Sequence, residues 1–164
     1  MKSVYGITAS ILAKDCVAFG LDDILSAGSV SGPINRAKAM ELLEKLSKLE
    51  KEVQGFRLAL VSGYSAEEGW KKLNATGFQK FFLPENVFFA DKAYVDSMGE
   101  IDRQRHLENI AKDALFQDDY FKQKALSRIV EDGKLEKSRV VFVGHDLLTD
   151  AYYSQRFSGI HVAL

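Results

Sequence analysis

Two short, uninterrupted apolar runs, each closed by a glycine, constrain the fold of this chain more than any other feature. They lie at residues 16–19 and 140–143. Runs of this length, apolar on both faces, are typical of strands buried in the middle of a parallel sheet. The second run is followed by a helical-looking segment at 147–157 and a third apolar run at 160–164. The end of the chain therefore indicates strand, turn, helix and strand.

Between these runs, strand patterns alternate with helical ones. Apolar residues recurring every three or four positions predict helices over 34–53, 66–74, 97–115 and 121–130, with a break at 116–120. Further strand runs lie at 56–61 and in the aromatic-rich segments 81–83 and 87–90, of which at least one supplies the third strand. A capping box, Ser65 with Glu68, starts the second helix, and Gly77 ends it.

This alternation predicts a doubly wound, three-layer, Rossmann-like α/β domain with a parallel central sheet. At 164 residues the chain suits one domain, and we expect a single domain over residues 1–164. The loop at 26–33 and the segment between Ser62 and Lys124 are both short for an inserted cap. We therefore expect a minimal cap or none, and an open cleft.

Composition and charge bear on the class of protein. The 22 Lys and Arg residues nearly balance the 23 Asp and Glu residues, so no basic field favours nucleic acid. No window approaches the roughly 18 apolar residues that cross a bilayer, and the first residues do not resemble a secretion signal. These patterns favour a cytoplasmic protein without a membrane partner. Cys16, the single cysteine, is expected to pack as a small buried side chain.

Polar residues follow the predicted strands at the places where open α/β sheets carry their chemistry. The carboxyl ends of parallel strands meet at one edge of the sheet, so residues that follow different strands come together there. At the end of the run 140–143, this argument gives Gly144, His145, Asp146 and Asp150 as candidate site residues.

The order of these motifs resembles the haloacid dehalogenase (HAD) superfamily over nearly the whole chain. The segment FGLDDIL at 19–25 is similar to the superfamily's first motif, F-D-x-D-G-T-L, and GHDLLTD at 144–150 is similar to the last one. The resemblance implies that Asp22 takes the acid/base position and that Ser62, with Gly63, binds phosphate. It also implies a lysine on the helix before the last motif, for which Lys124 is the first choice and Lys122 the second.

Two positions depart from the superfamily's pattern. Gly20 stands where the resemblance expects the nucleophilic Asp, and His145 stands where it expects the first Asp of the last motif. A phosphoaspartyl mechanism needs a carboxylate at the strand end, held against Mg²⁺, which prefers oxygen ligands. We therefore expect a catalytically degenerate HAD-like protein, a pseudophosphatase without a cofactor. Its cleft would bind a phosphate-containing ligand or a protein partner in a regulatory role.

Three alternatives stay open at this point. In the first, Asp22 or Asp23 acts as a displaced nucleophile and Asp146 and Asp150 replace the lost Mg²⁺ ligands, which gives a metal-dependent phosphatase. In the second, His145 joins Asp22, Asp146 and Asp150 in a zinc or manganese site. In the third, the domain is a structural or oligomerisation unit that uses the aromatic segment 81–89 as its interface.

Overall fold

The computed structural model describes residues 14–24, 33–89, 92–112, 116–144, 147–152 and 154–163. Within these residues, five parallel strands form one sheet in the order β3-β2-β1-β4-β5. The strands are β1 (Cys16–Gly20), β2 (Arg57–Ser62), β3 (Val87–Phe89), β4 (Val140–Val143) and β5 (His161–Ala163). The predicted α/β class with a parallel, Rossmann-like sheet is confirmed.

Helices cover both faces of this sheet. They are α1 (Pro33–Glu52), α2 (Ala66–Thr76), α3 (Lys92–Asp96), α4 (Glu100–Lys112) and α5 (Phe116–Gly133). One apolar cluster joins α1 and α2 to the face that carries Phe19 and Leu60. A second cluster joins α5 to the opposite face, which carries Ala18 and Phe142. The two clusters make three layers, because successive side chains of each strand point to opposite faces.

The central strands form where the sequence is apolar on both faces. All five residues of β1 are buried, and so are the last five residues of β2. Cys16 is fully buried in β1, which confirms its predicted packing, and this burial raises the pKa of its thiol to about 12. A thiol with that pKa is un-ionised and therefore unreactive at neutral pH.

The predicted ends of α2 are confirmed by its capping contacts. The hydroxyl of Ser65 accepts a hydrogen bond from the backbone N–H of Glu68 at 3.2 Å. At the other end, Gly77 has a φ of 74°, the left-handed conformation that glycine adopts without a steric penalty. Local sequence chemistry thus fixes both ends of this helix.

Three predicted segments are corrected. The run 81–83 is not a strand, because Phe81 closes a 3₁₀ turn and Pro84 opens another, so only β3 extends from this aromatic region. The predicted break at 116–120 is absent, because α5 already begins at Phe116. The helix expected from residue 97 begins instead at Glu100 as α4, and the short α3 precedes it; between the two, the hydroxyl of Ser97 donates to the carbonyl of Tyr94.

The predicted helix after β4 takes the form of two π-helical turns, Leu147–Tyr152 and Ser154–Ser158. The loop residues 26–32, His145 and Asp146 lie outside the described residues. In the described part of the chain, no helix has the length and apolar character needed to cross a membrane.

Candidate functional site at the ends of β1 and β4

The strand order places a crevice between β1 and β4. From β1 the chain builds β2 and β3 on one side of the sheet, and then β4 and β5 on the other side. Such a reversal is the switch point where open α/β sheets bind ligands. Phe19 pairs with Val143, so Gly20 and Gly144 follow side by side at the carboxyl ends of the two strands.

At the end of β1, the carboxylate of Asp23 fills the space next to Gly20. A Cβ atom added to Gly20 would lie 1.9 Å from Asp23 Oδ2 and 3.0 Å from Asp23 Cγ. Asp23 reaches this place because residues 21–24 form a helical turn directly after the strand. A carboxylate therefore lies at the end of β1 although residue 20 itself has no side chain.

A second carboxylate fills the corresponding space at the end of β4. A Cβ atom added to Gly144 would lie 2.5 Å from Asp150 Cβ and 2.7 Å from Asp150 Oδ2. Asp150 is fully buried, and its Oδ1 accepts from Lys122 Nζ at 3.1 Å, where the lysine side chain is only 16% exposed. The end of β4 thus holds a buried ion pair between the π-helical turn and α5.

Buried hydrogen bonds hold this π-helical segment against α5. Gln123 Nε2 donates to Ser154 Oγ at 3.1 Å, and Ser158 Oγ donates to the backbone carbonyl of Gln123 at 3.0 Å. Ser127 Oγ also donates to Ser158 Oγ at 3.3 Å. The residues of α5 that make these contacts come soon after Lys122 in the sequence. The contacts therefore fix the position of the π-helical segment, and of Asp150 within it, relative to Lys122.

Tyr64 joins two further candidate residues. Its hydroxyl donates to Asp22 Oδ1 at 2.8 Å, and its backbone N–H donates to Ser62 Oγ at 3.2 Å. The hydrogen bond to Asp22 raises the pKa of the Tyr64 phenol, because ionising the phenol would remove the donor and set two anions together. Ser62 is buried, whereas Asp22 and Gly63 are exposed.

The two candidate lysines lie in different surroundings. Lys124 Nζ pairs with Asp102 Oδ2 of α4 at 3.0 Å, in a polar groove between α5 and the helices α3 and α4. Lys122, the second choice from the sequence, is the lysine that contacts Asp150. The structure therefore brings Lys122, and not Lys124, to Asp150 at the end of β4.

Asp22, Asp23 and Asp150 supply the oxygen ligands that Mg²⁺ prefers. Asp150 is nevertheless engaged by Lys122, and His145 and Asp146 lie outside the described residues. Among the residues that the structure describes, no three His, Cys, Asp or Glu side chains are grouped so as to hold a metal ion. The described part of the crevice is acidic, with three carboxylates and one lysine.

Sequence reasoning missed two features of this site. It did not connect Asp23 with Gly20, or Asp150 with Gly144, although an acidic residue a few positions after a strand-ending glycine is a usable signal. It also missed Tyr64, whose only signal is its place two residues after Ser62.

The fold and the site define an α/β protein with a five-stranded parallel, Rossmann-like sheet and polar side chains at its switch point. Comparisons with protein-family models, with curated proteins and with solved structures find no match.

Proposed function

We propose that this chain is a degenerate member of the HAD superfamily that binds a ligand in its switch-point crevice without turning it over. The observation that carries the proposal is the carboxylate of Asp23, which fills the space where a side chain on residue 20 would begin. An aspartate at residue 20 would have to displace the end of the Asp23 side chain. The position that the resemblance assigns to the nucleophile therefore has no side chain, and the Asp23 carboxylate takes up the space beside it.

The other polar groups of the crevice support the same reading, because each has a partner within the fold. Ser62 Oγ accepts from the Tyr64 backbone, Asp22 accepts from the Tyr64 hydroxyl, and Asp150 is paired with Lys122. These contacts fix the three side chains in place, as a structural or binding role requires.

The ligand follows from the charge of the crevice. Asp150 is paired with Lys122, but the carboxylates of Asp22 and Asp23 repel a free phosphate, so a phosphate-containing ligand would enter together with a divalent cation such as Mg²⁺. The hydroxyl of Ser62 and the exposed backbone at Gly63 would then contact the phosphate oxygens. In this proposal the cation binds together with the phosphate and has no catalytic role.

The test combines an activity assay with a binding assay. We expect the wild-type protein, Asp22→Asn and Gly20→Asp to show no difference in hydrolysis of an aryl phosphate with Mg²⁺ or Mn²⁺. We also expect inorganic phosphate with Mg²⁺ to raise the melting temperature, since a ligand stabilises the state that it binds. Ser62→Ala should reduce that rise. If neither phosphate nor metal changes the melting temperature, the domain is better explained as a structural or oligomerisation unit.

A second candidate function is a metal-dependent phosphohydrolase that uses Asp23 as its nucleophile. The position of the Asp23 carboxylate at the end of β1 favours it, because the nucleophile of a phosphoaspartyl enzyme lies at such a strand end. This function requires metal-dependent turnover that Asp23→Asn abolishes. That result would refute the proposal of a degenerate protein and show that the chain is an active phosphohydrolase.

A further inference from the structure

A groove with a basic lining lies between α1 and the 3₁₀ turn Gln79–Phe81. Its volume is about 320 Å³. The groove is separate from the switch-point crevice, because this part of α1 lies near the amino end of β2, where Glu50 accepts a hydrogen bond from the Leu58 N–H. Of the described residues that line it, three are lysines and one is acidic. The lining residues are Glu44, Ser47, Lys48, Lys51, Lys80 and Phe81.

A buried hydroxyl without a partner belongs to this lining. Ser47 is only 8% exposed, and its side chain forms no hydrogen bond with any residue that the structure describes. A buried polar group without a hydrogen bond costs free energy, so most such groups have a partner. A ligand with acceptor atoms in the groove would supply a partner for the Ser47 hydroxyl.

Three lysines give the groove its positive charge. Lys48 and Lys51 lie one turn apart on α1, and the ammonium of Lys80 lies over the Phe81 ring at 4.9 Å from its centroid. Lys48 forms an exposed pair with Glu52 at 3.7 Å. Lys51 and Lys80 have no ion-pair partner within the described part of the chain. Two ammonium groups of the groove are therefore available to an anion.

The helix dipole explains one of these features and not the others. Lys51 lies in the last turn of α1, where the partial negative charge of the helix end stabilises a cation. Lys80 lies on another element and Ser47 carries no charge, so the dipole explains neither. The combination of ammonium groups and a buried hydroxyl indicates a ligand with negative charge and several acceptor atoms.

Phosphate is the anion that fits these groups best. Its oxygens are strong acceptors, and lysine binds phosphate as a compact point charge. The groove has about twice the volume of an apolar cavity that holds benzene, so it has room for more than one phosphate group. Three ammonium groups against the single carboxylate of Glu44 favour a ligand with several negative charges.

We propose that this groove binds the diphosphate group of a small molecule without a metal ion, with its oxygens at Ser47, Lys51 and Lys80. Free pyrophosphate and organic diphosphates share this chemistry. The proposal rests on the groove and its lining and does not depend on the resemblance to the HAD superfamily or on the phosphate site proposed at Ser62.

The experiment uses pyrophosphate, ADP and orthophosphate as probes, at constant ionic strength and in buffer freed of metal ions by a chelating resin. Binding to the full chain is measured by isothermal titration calorimetry and by the shift in melting temperature. We expect saturable binding of pyrophosphate and binding of orthophosphate about twofold to fivefold weaker, because orthophosphate carries fewer charges. Tighter binding of ADP than of pyrophosphate would assign the groove to an organic diphosphate, and weaker binding would assign it to pyrophosphate itself.

Two lysine substitutions on α1 provide a matched pair. Lys51→Gln removes a charge from the groove and should weaken pyrophosphate binding by about twofold to fivefold. Lys38 is exposed on the same helix and does not line the groove. Lys38→Gln changes the net charge by the same amount and should leave the affinity nearly unchanged.

Three uncharged substitutions test the other groups. Ser47→Ala should weaken pyrophosphate binding by about twofold to tenfold without lowering the melting temperature, because the hydroxyl has no partner among the described residues. Glu44→Gln removes the one carboxylate of the lining and should strengthen binding. Ser62→Ala should leave metal-free pyrophosphate binding unchanged, so the failure of either phosphate proposal can be told from the failure of the other.

Three results would overturn the proposal. The first is an equal loss of affinity in Lys51→Gln and Lys38→Gln, which would show that pyrophosphate responds only to net charge. The second is unchanged affinity in Ser47→Ala, which would place the ligand away from the buried hydroxyl. The third is the absence of saturable pyrophosphate binding at every concentration that leaves the protein folded.

Discussion

Replacing Lys122 with methionine tests whether the ion pair at the end of β4 is a buried structural element. Lys122 Nζ lies 3.1 Å from Asp150 Oδ1, and the Asp150 side chain has no exposure to solvent. Methionine keeps much of the apolar stem of the lysine and removes the charge. The variant therefore removes the Lys122 cation from the buried Asp150 carboxylate.

The magnitude follows from the distance and the burial. Two unit charges at this separation attract by about 5 kcal/mol at an effective dielectric constant of about 20. Removing one partner of a buried pair typically costs about 3–5 kcal/mol. For a domain of this size, each kcal/mol lowers the melting temperature by about 2–4 °C, so the expected fall is about 6–20 °C.

Lys124 provides the matched control two positions further along the same helix. Its distance to Asp102 is 3.0 Å, but the two side chains are 31% and 44% exposed. Exposed pairs contribute about 0–1 kcal/mol, so Lys124→Met should change the free energy of unfolding very little. Thermal and urea unfolding of both variants measure the difference.

A second substitution identifies the cause of the loss. Asp150→Asn keeps the shape of the side chain and removes its charge, so the double variant Lys122→Met, Asp150→Asn should recover about 1–3 kcal/mol relative to Lys122→Met alone. Equal losses in Lys122→Met and Lys124→Met, or additive losses in the double variant, would refute the reasoning.

Three further measurements test other parts of the fold. Burial raises the pKa of Glu50 despite hydrogen bonds from the Leu58 N–H and from Asn86, so the folded state binds this proton more tightly than the unfolded state does. The free energy of unfolding of the wild type therefore falls as the pH rises from the ordinary pKa of 4.5 through the raised pKa. Glu50→Gln lacks this titrating group, so its urea midpoint should rise relative to that of the wild type between about pH 4 and pH 7. A difference in urea midpoint that stays constant over this range would contradict the prediction. Gln123→Leu removes a partner from buried serines and should cost about 1–3 kcal/mol in urea unfolding, whereas a loss near zero would mean that those bonds add nothing. Alkylation of Cys16 should be slow in the folded state and follow global unfolding, because the thiol is buried and un-ionised, and rapid native-state labelling would contradict its packing.

The sequence predicts the sheet well because burial on both faces leaves a strong local signal. Continuous apolar runs predicted β1 and β4, and the Ser65 capping box predicted the start of α2. Prediction failed where two local signals compete. Residues 81–83 are aromatic enough for a strand, but Pro84 starts a 3₁₀ turn there, and nothing in the pattern at 116–120 indicates that α5 already begins at Phe116.

The candidate site was predictable as a location and not as a set of contacts. Strand ends in a parallel sheet meet at one edge, which brought Asp150 under consideration, and the resemblance to the HAD superfamily added Asp22 and Ser62. Which lysine contacts Asp150 depends on the helical phase of α5, and Lys122 and Lys124 differ there by about 200° of rotation, at 3.6 residues per turn. The sequence motif allows its lysine to be either of two residues two positions apart, and these lie on opposite sides of the helix, so the motif alone cannot decide which lysine contacts Asp150.

An aspartate side chain fills the space beside each of the two strand-end glycines, but with different atoms. The crevice therefore has a rigid side at the end of β4 and an adjustable side at the end of β1. At Gly144 an added Cβ meets the Cβ of Asp150 at 2.5 Å, an atom fixed to the backbone of the π-helical turn. At Gly20 it meets the far end of the Asp23 side chain, which can rotate away.

Gly144→Ala should therefore cost more than Gly20→Ala, because overpacking against fixed atoms typically costs about 1–3 kcal/mol or more, and here it also disturbs the buried Lys122–Asp150 pair. Gly20→Ala should instead keep most of the stability, because only the end of the Asp23 side chain has to move. Thermal and urea unfolding of the two variants measure the difference. Equal losses of stability would mean that the end of β4 is no more rigid than the end of β1.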